Sequence, residues 1–271
     1  SILMPNSDLS NCKECPLSKN QTLVVGETNC EDDLSKVELL ILAEAPASEE
    51  IKKNRPLVGQ AGQVFRQAFK KSKLNTLPHY ITNVVLCSNI ESGKTTNPPK
   101  ITIEYCKPNW EELIKVLNPK VILLMGGVPM DVFGIKDQYL MLENTKKDDG
   151  ITKIRKRNPF KYNNIPVYVT VHPSFVHRSG GLSSDVGQTI YLNDLYTIYY
   201  MLRGKDEEGN MKRGSSLKEP YKFKFPEWCM NKEWKLMDVQ KNIVTKQIVH
   251  IFQNKEGKKK FHKVADTHYY Y

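Results

Sequence analysis

The sequence predicts a three-layer α/β/α fold around a mostly parallel four-stranded sheet, with a small β-rich extension at the C-terminus. Three observations carry this. Four short runs are apolar or β-branched, and the runs at 37–46 and 120–127 are apolar on consecutive residues, as strands buried on both faces are. Amphipathic segments of helical period separate them, and the composition changes beyond about residue 204.

The first run, "VELLILAEAP" (37–46), is apolar at Val37, Leu39, Leu40, Ile41 and Leu42, then delivers Glu44 and turns through Ala45-Pro46. In 59–74, Val64, Phe65, Ala68 and Phe69 share one helical face, with Arg66, Lys70 and Lys71 outside it. "HYITNVVLC" (79–87) is β-branched and predicts a second strand. Within 102–118 a helix is expected from about Lys107, ending before Asn118-Pro119. "KVILLMGG" (120–127) is the third strand, and its Gly126-Gly127 turn leads into a helix, "VPMDVFGI". "IPVYVTVHPSF" (165–175) is the fourth, and "NDLYTIYYMLRG" (193–204) closes the domain as a helix. Sites in such sheets form at the C-terminal strand tips. Glu44, Asn83 and His172 all fall there.

Residues 1–203 thus read as one domain. The charged, Gly/Ser-containing stretch 204–220 reads as a linker, and 221–271 as a β-rich extension with a hairpin around Asn254-Lys255-Glu256-Gly257. The last residues, "HYYY", read as the start of something longer.

A hydrophobic content of 39% supports a real core. No apolar run approaches the ~20 residues of a membrane span, and no signal pattern opens the chain. The chain is expected to act away from membranes, inside the cell. Its net charge of +10 favours a polyanionic partner, meaning nucleic acid.

Six cysteines in such a chain argue against a disulfide framework. Cys12 and Cys15 form a C-x-x-C, Cys87 ends the second strand, and Cys106 precedes a helix. A near pair plus two distant singles suits a metal site that ties the N-terminal segment to the sheet. Zinc and a [4Fe–4S] cluster both take four thiolates, and unrelated cysteines remain the alternative. Cys30 and Cys229 are spare.

Taken in order, the motifs resemble the family 4 uracil-DNA glycosylases, which carry a [4Fe–4S] cluster. The resemblance covers roughly residues 10–200: "CKECPL", "AEAPASEEIKKNRPLVGQAGQ", "YITNVVLC", "EYCKPNW", "NPKVILLMGG" and "VTVHPSFVHR". It implies that Cys12, Cys15, Cys87 and Cys106 ligate the cluster. It also implies that Glu44 and His172 are catalytic, and that Asn83, Leu57, Ala45, Pro46 and Gln63 form the base pocket. Ser174, Phe175 and Arg178 would press a wedge on DNA. Arg155 and Arg157, in "KIRKRNPFK" (153–161), are expected to extend the basic face.

Three departures stand out. Leu57 replaces the family's uracil-stacking phenylalanine, Ala43 and Ala47 replace two glycines, and Ile51 replaces an acid. Stacking is worth ~1–3 kcal/mol per base, so weak excision is expected. Segment 236–271 also resembles the opening strands of family B DNA polymerases. The readings that follow are a uracil-DNA glycosylase of repair or replication, a non-catalytic DNA-holding or uracil-sensing module of a viral or phage polymerase (in the host cytoplasm, beside replication proteins), and a cluster- or zinc-stabilised protein-interaction module.

Overall fold

The computed structural model describes residues 12–20, 22–203, 233–241 and 248–264. Its strands are β1 (Glu27–Thr28), β2 (Leu39–Ala43), β3 (His79–Asn83), β4 (Asn89–Glu91), β5 (Lys94–Thr96), β6 (Val121–Met125), β7 (Phe160–Tyr162), β8 (Ile165–Thr170), β9 (Lys235–Lys241), β10 (Ile248–Gln253) and β11 (Lys259–Val264). The main helices are α1 (Ser48–Lys53), α2 (Gln60–Lys71), α3 (Lys100–Leu117), α4 (Gly127–Val132), α5 (Ile135–Leu140), α6 (Ile151–Ile154), α7 (Pro173–Arg178) and α8 (Asn193–Arg203).

The central sheet runs β1-β3-β2-β6-β8-β7. Its four middle strands are parallel, as the apolar runs predict, and β1 and β7 are added antiparallel at the edges. The sheet is therefore six-stranded rather than four-stranded. Strands of two or three residues are too short to show a period, so pairing with a neighbour creates them.

Alternation along β2 builds two cores. Leu39, Ile41 and Ala43 point to one face, against Phe65 and Phe69 of α2 and Leu195 and Ile198 of α8. Leu40 and Leu42 point to the other, against Trp110, Leu113 and Leu117 of α3. All four leucine and isoleucine side chains of β2 are 0% exposed, each stabilising the fold by about 1.5–3 kcal/mol.

Helix α3 begins at Lys100, before the expected start near Lys107, and Pro108 lies inside it. An internal proline costs ~3 kcal/mol. Burial of Cys106, Trp110, Leu113 and Ile114 on either side offsets that cost. A further hairpin, β4–β5, turns through Ser92 (φ 51°) and Gly93 (φ 76°), the left-handed pair that suits a two-residue hairpin loop.

The expected 254–257 hairpin joins β10 to β11 in a three-stranded antiparallel sheet ordered β11-β10-β9. Asp238 of β9 pairs with Lys156 at 3.2 Å. The linker 204–220 and Cys229 lie outside the described residues. Among the described residues, no helix is long and apolar enough to cross a membrane.

Candidate active site

The tips of β2, β6 and β8 open into one cleft of about 620 Å³, within the range of small-ligand sites. Glu44, Ala45, Pro46 and Ala47 form one wall; Met125 to Pro129 form its floor; His172, Ser174 and Arg178 form the opposite wall. Thr95–Pro98, from the β4–β5 hairpin, make a further wall that the sequence did not announce.

His172 caps α7. Its Nδ1 accepts from the Ser174 backbone N–H at 3.0 Å and lies 2.7 Å from Ser174 Oγ. A nitrogen that accepts carries no proton, so the neutral ring bears its hydrogen on Nε2. Burial, with repulsion from the Arg178 guanidinium, pulls the His172 pKa down to about 4. The ring is therefore a neutral donor near pH 7. Gly126 (φ 100°) makes room for it, since a Cβ there would stand 3.2 Å from His172 Cβ.

Burial raises the Glu44 pKa, and its carboxylate has no hydrogen-bond partner among the described residues. Asn83 ends β3, in register with Ala43. Its amide is 3% exposed and has no hydrogen-bond partner among the described residues. Asn83 does not line the cleft; it borders a separate pocket with Gly26, Tyr80 and Trp110.

Several expected positions fall elsewhere. Leu57 sits in the hydrophobic core beside Val64 and Phe65 and does not line the cleft. Its φ of 53° is left-handed, held because Arg66 donates to the Leu57 and Pro56 carbonyls at 3.2 and 2.7 Å. Gly62 lies against the Leu57 backbone so closely that a Cβ would overlap it. Gln63 is exposed, its amide donating to the Val58 carbonyl at 3.0 Å. The sequence also passed over Glu50. This buried carboxylate accepts from the backbone N–H groups of Ala47, Val58 and Gly59 and ties the loops on either side of α1 together. Its only sequence signal is the capping-box spacing from Ala47.

On the DNA side, Phe175 is 37% exposed and Arg178 is exposed at the cleft. Arg155 does not extend the basic face. It is buried and makes a bidentate pair with Asp194 at 2.6 and 2.7 Å, where Thr170 Oγ1 also donates at 2.6 Å. The run 153–157 is largely committed: Lys153 pairs with Asp149, Lys156 with Asp238, and Arg157 donates to the Glu143 carbonyl.

The four predicted cysteines line a second cavity, of about 270 Å³, with Val85, Leu17 and Tyr105. The Leu23–Cys87 bridge and the Thr22–Ser88 hydrogen bonds fasten the N-terminal segment beside β3. Burial, with Cys106, Cys12 and Cys15 alongside, pushes the Cys87 pKa up to about 12. Asn109 donates to Cys106 Sγ at 3.7 Å. Among the described residues, no three His, Cys, Asp or Glu side chains form a group that holds a metal ion. The donor set and the size of the cavity fit a cluster. A tetrahedral zinc ion sits ~2.3 Å from each sulfur and needs far less room.

A mostly parallel sheet with Glu44 and His172 facing one cleft at its strand tips defines an α/β protein with a strand-tip site. The chain belongs to the Uracil DNA glycosylase superfamily, whose family model matches residues 31–195. It is similar to the Type-4 uracil-DNA glycosylase of Sulfurisphaera tokodaii, 27% identical over 77% of this chain and 93% of the relative. The Type-4 uracil-DNA glycosylase of Pyrobaculum aerophilum is 32% identical over 65% of this chain and 85% of its own length. That of Thermotoga maritima is 30% identical over 63% and 80%.

Proposed function

We propose that this protein removes uracil from DNA by hydrolysing the bond between the base and deoxyribose. The observation that carries the reading is the pairing of a neutral His172 donor with the Glu44 carboxylate across one cleft. By the family resemblance, an extruded uracil would have its carbonyl and N–H edge met by Asn83, which ends β3 beside Ala43. As the C1′–N1 bond breaks, its electron pair moves onto uracil, and His172 Nε2–H donates to the developing anion. Water attacks C1′ from the other side, and Glu44, its basicity raised by burial, orients it and accepts its proton. Phe175 and Arg178 press on the gap left in the duplex. Cys12, Cys15, Cys87 and Cys106 would hold a [4Fe–4S] cluster that fastens the N-terminal segment; zinc is the alternative occupant. Incubation with a uracil-containing oligonucleotide should yield abasic sites, with single-stranded or mismatched uracil preferred because unstacking costs least there.

Leu57 favours a second reading, a module that holds DNA without excision, alone or attached to a replicative polymerase. Buried in the core and outside the cleft, this position gives the base no stacking surface. The uracil-oligonucleotide assay separates the two readings: abasic sites support the enzyme, and inert protein with DNA binding intact supports the module.

A further inference from the structure

The β10–β11 hairpin plays no part in the cleft, yet it concentrates charge and an aromatic ring on one edge. Lys255, Lys258, Lys259 and Lys260 are all exposed. The single acid among them, Glu256, accepts from Asn254 Nδ2 at 3.0 Å. The turn that carries them is well braced. Asn254 and Lys258 close it backbone to backbone at 3.0 Å, Asn254 Oδ1 accepts from the N–H groups of Glu256 and Lys258, and Gly257 supplies the left-handed residue at φ 84°.

β11 is an edge strand. On it Phe261 is 57% exposed, although its cross-strand neighbour Ile251 is buried. Lys259 lies two residues away, on the same face of the strand. Lys260 projects to the other face, 4.5 Å from the Trp234 ring centroid. A large apolar ring left in water on a lysine-rich edge contributes little to the core. It does offer a flat face to a planar, electron-rich partner, and the lysines beside it favour a polyanion.

We propose that this hairpin is a second DNA contact, which takes single-stranded DNA by stacking an unpaired base on Phe261 while Lys258 and Lys259 meet the flanking phosphates. A duplex hides its base faces within the stack and would use the lysines alone. The proposal stands on the hairpin's own chemistry and does not depend on uracil excision.

The test uses the full chain and fluorescence anisotropy with two uracil-free probes, an oligothymidylate and a duplex. Phe261→Leu keeps an apolar side chain beside Ile251 but removes the ring. It should weaken single-strand binding about 5- to 150-fold and leave duplex binding and the thermal melt unchanged, while Phe261→Tyr retains affinity. Lys258→Ala and Lys259→Ala should each lower the salt dependence of single-strand binding by ~0.7 log units per log unit of salt. Single-strand binding unchanged in Phe261→Leu, or equal losses for strand and duplex, would overturn the proposal.

Discussion

His172 meets the cleft through one ring nitrogen, because Ser174 occupies the other. Removing that donor in His172→Ala should lower excision about 10²–10³-fold, read as abasic-site formation under single-turnover conditions. The pH dependence has a definite sign. With the His172 pKa at about 4, excision should show no limb near the ordinary imidazole value. The acid limb belongs to Glu44, whose raised pKa places it above the usual carboxylate range, and activity falls as the pH drops through it. Stability follows the histidine. The unfolded chain takes up a proton near 6.5 that the folded ring refuses until about 4. That contribution is therefore complete above the imidazole range and is lost as pH falls toward 4. Denaturation midpoints at pH 7 and pH 5 should differ more for the parent than for His172→Gln.

At the scale of elements, the cleft depends on turns that admit only certain residues. A methyl at Gly126 would press on the His172 ring and disfavour φ 100°. Gly126→Ala should therefore reduce kcat/KM by tens-fold or more while leaving the β6–β8 pairing intact, as checked by circular dichroism and single-turnover kinetics. Arg155 shows how local reading fails. In sequence it is one of several basic residues before β7, indistinguishable from Arg157. In the fold it is locked to Asp194 on α8 and, through the same carboxylate, to Thr170 at the end of β8. Arg155→Met leaves that acid buried without its partner and should cost about 3–5 kcal/mol in urea denaturation. The salt slope for DNA binding should not change, because the guanidinium does not reach the surface.

At the scale of the whole molecule, a short bridge joins the N-terminal segment to the sheet, and four cysteines line one cavity between them. The purified protein should carry iron and inorganic sulfide and absorb broadly near ~400 nm. Cys106→Ala should lose the colour and become open to proteolysis N-terminal to β2, read by limited digestion. Stoichiometric zinc in a colourless protein would refute the cluster and leave the sheet untouched. The family model spans residues 31–195 and so begins after Cys12 and Cys15.

The sequence by itself determined the four parallel strands, the hairpin at 254–257 and the polar residues at the tips of β2, β3 and β8. Each is written locally, as an apolar run, a turn dipeptide or an ordered motif, and backbone geometry turns such patterns into elements with little help from elsewhere. Tertiary structure decided where side chains that leave those patterns would go. Leu57 turned inward because Arg66 and Gly62 fix its backbone, and Gln63 was drawn to the Val58 carbonyl. Arg155 was buried by an acid on α8, and Glu50 was claimed by three backbone N–H groups. Burial and pairing depend on residues brought together from distant parts of the chain, and no local period records them.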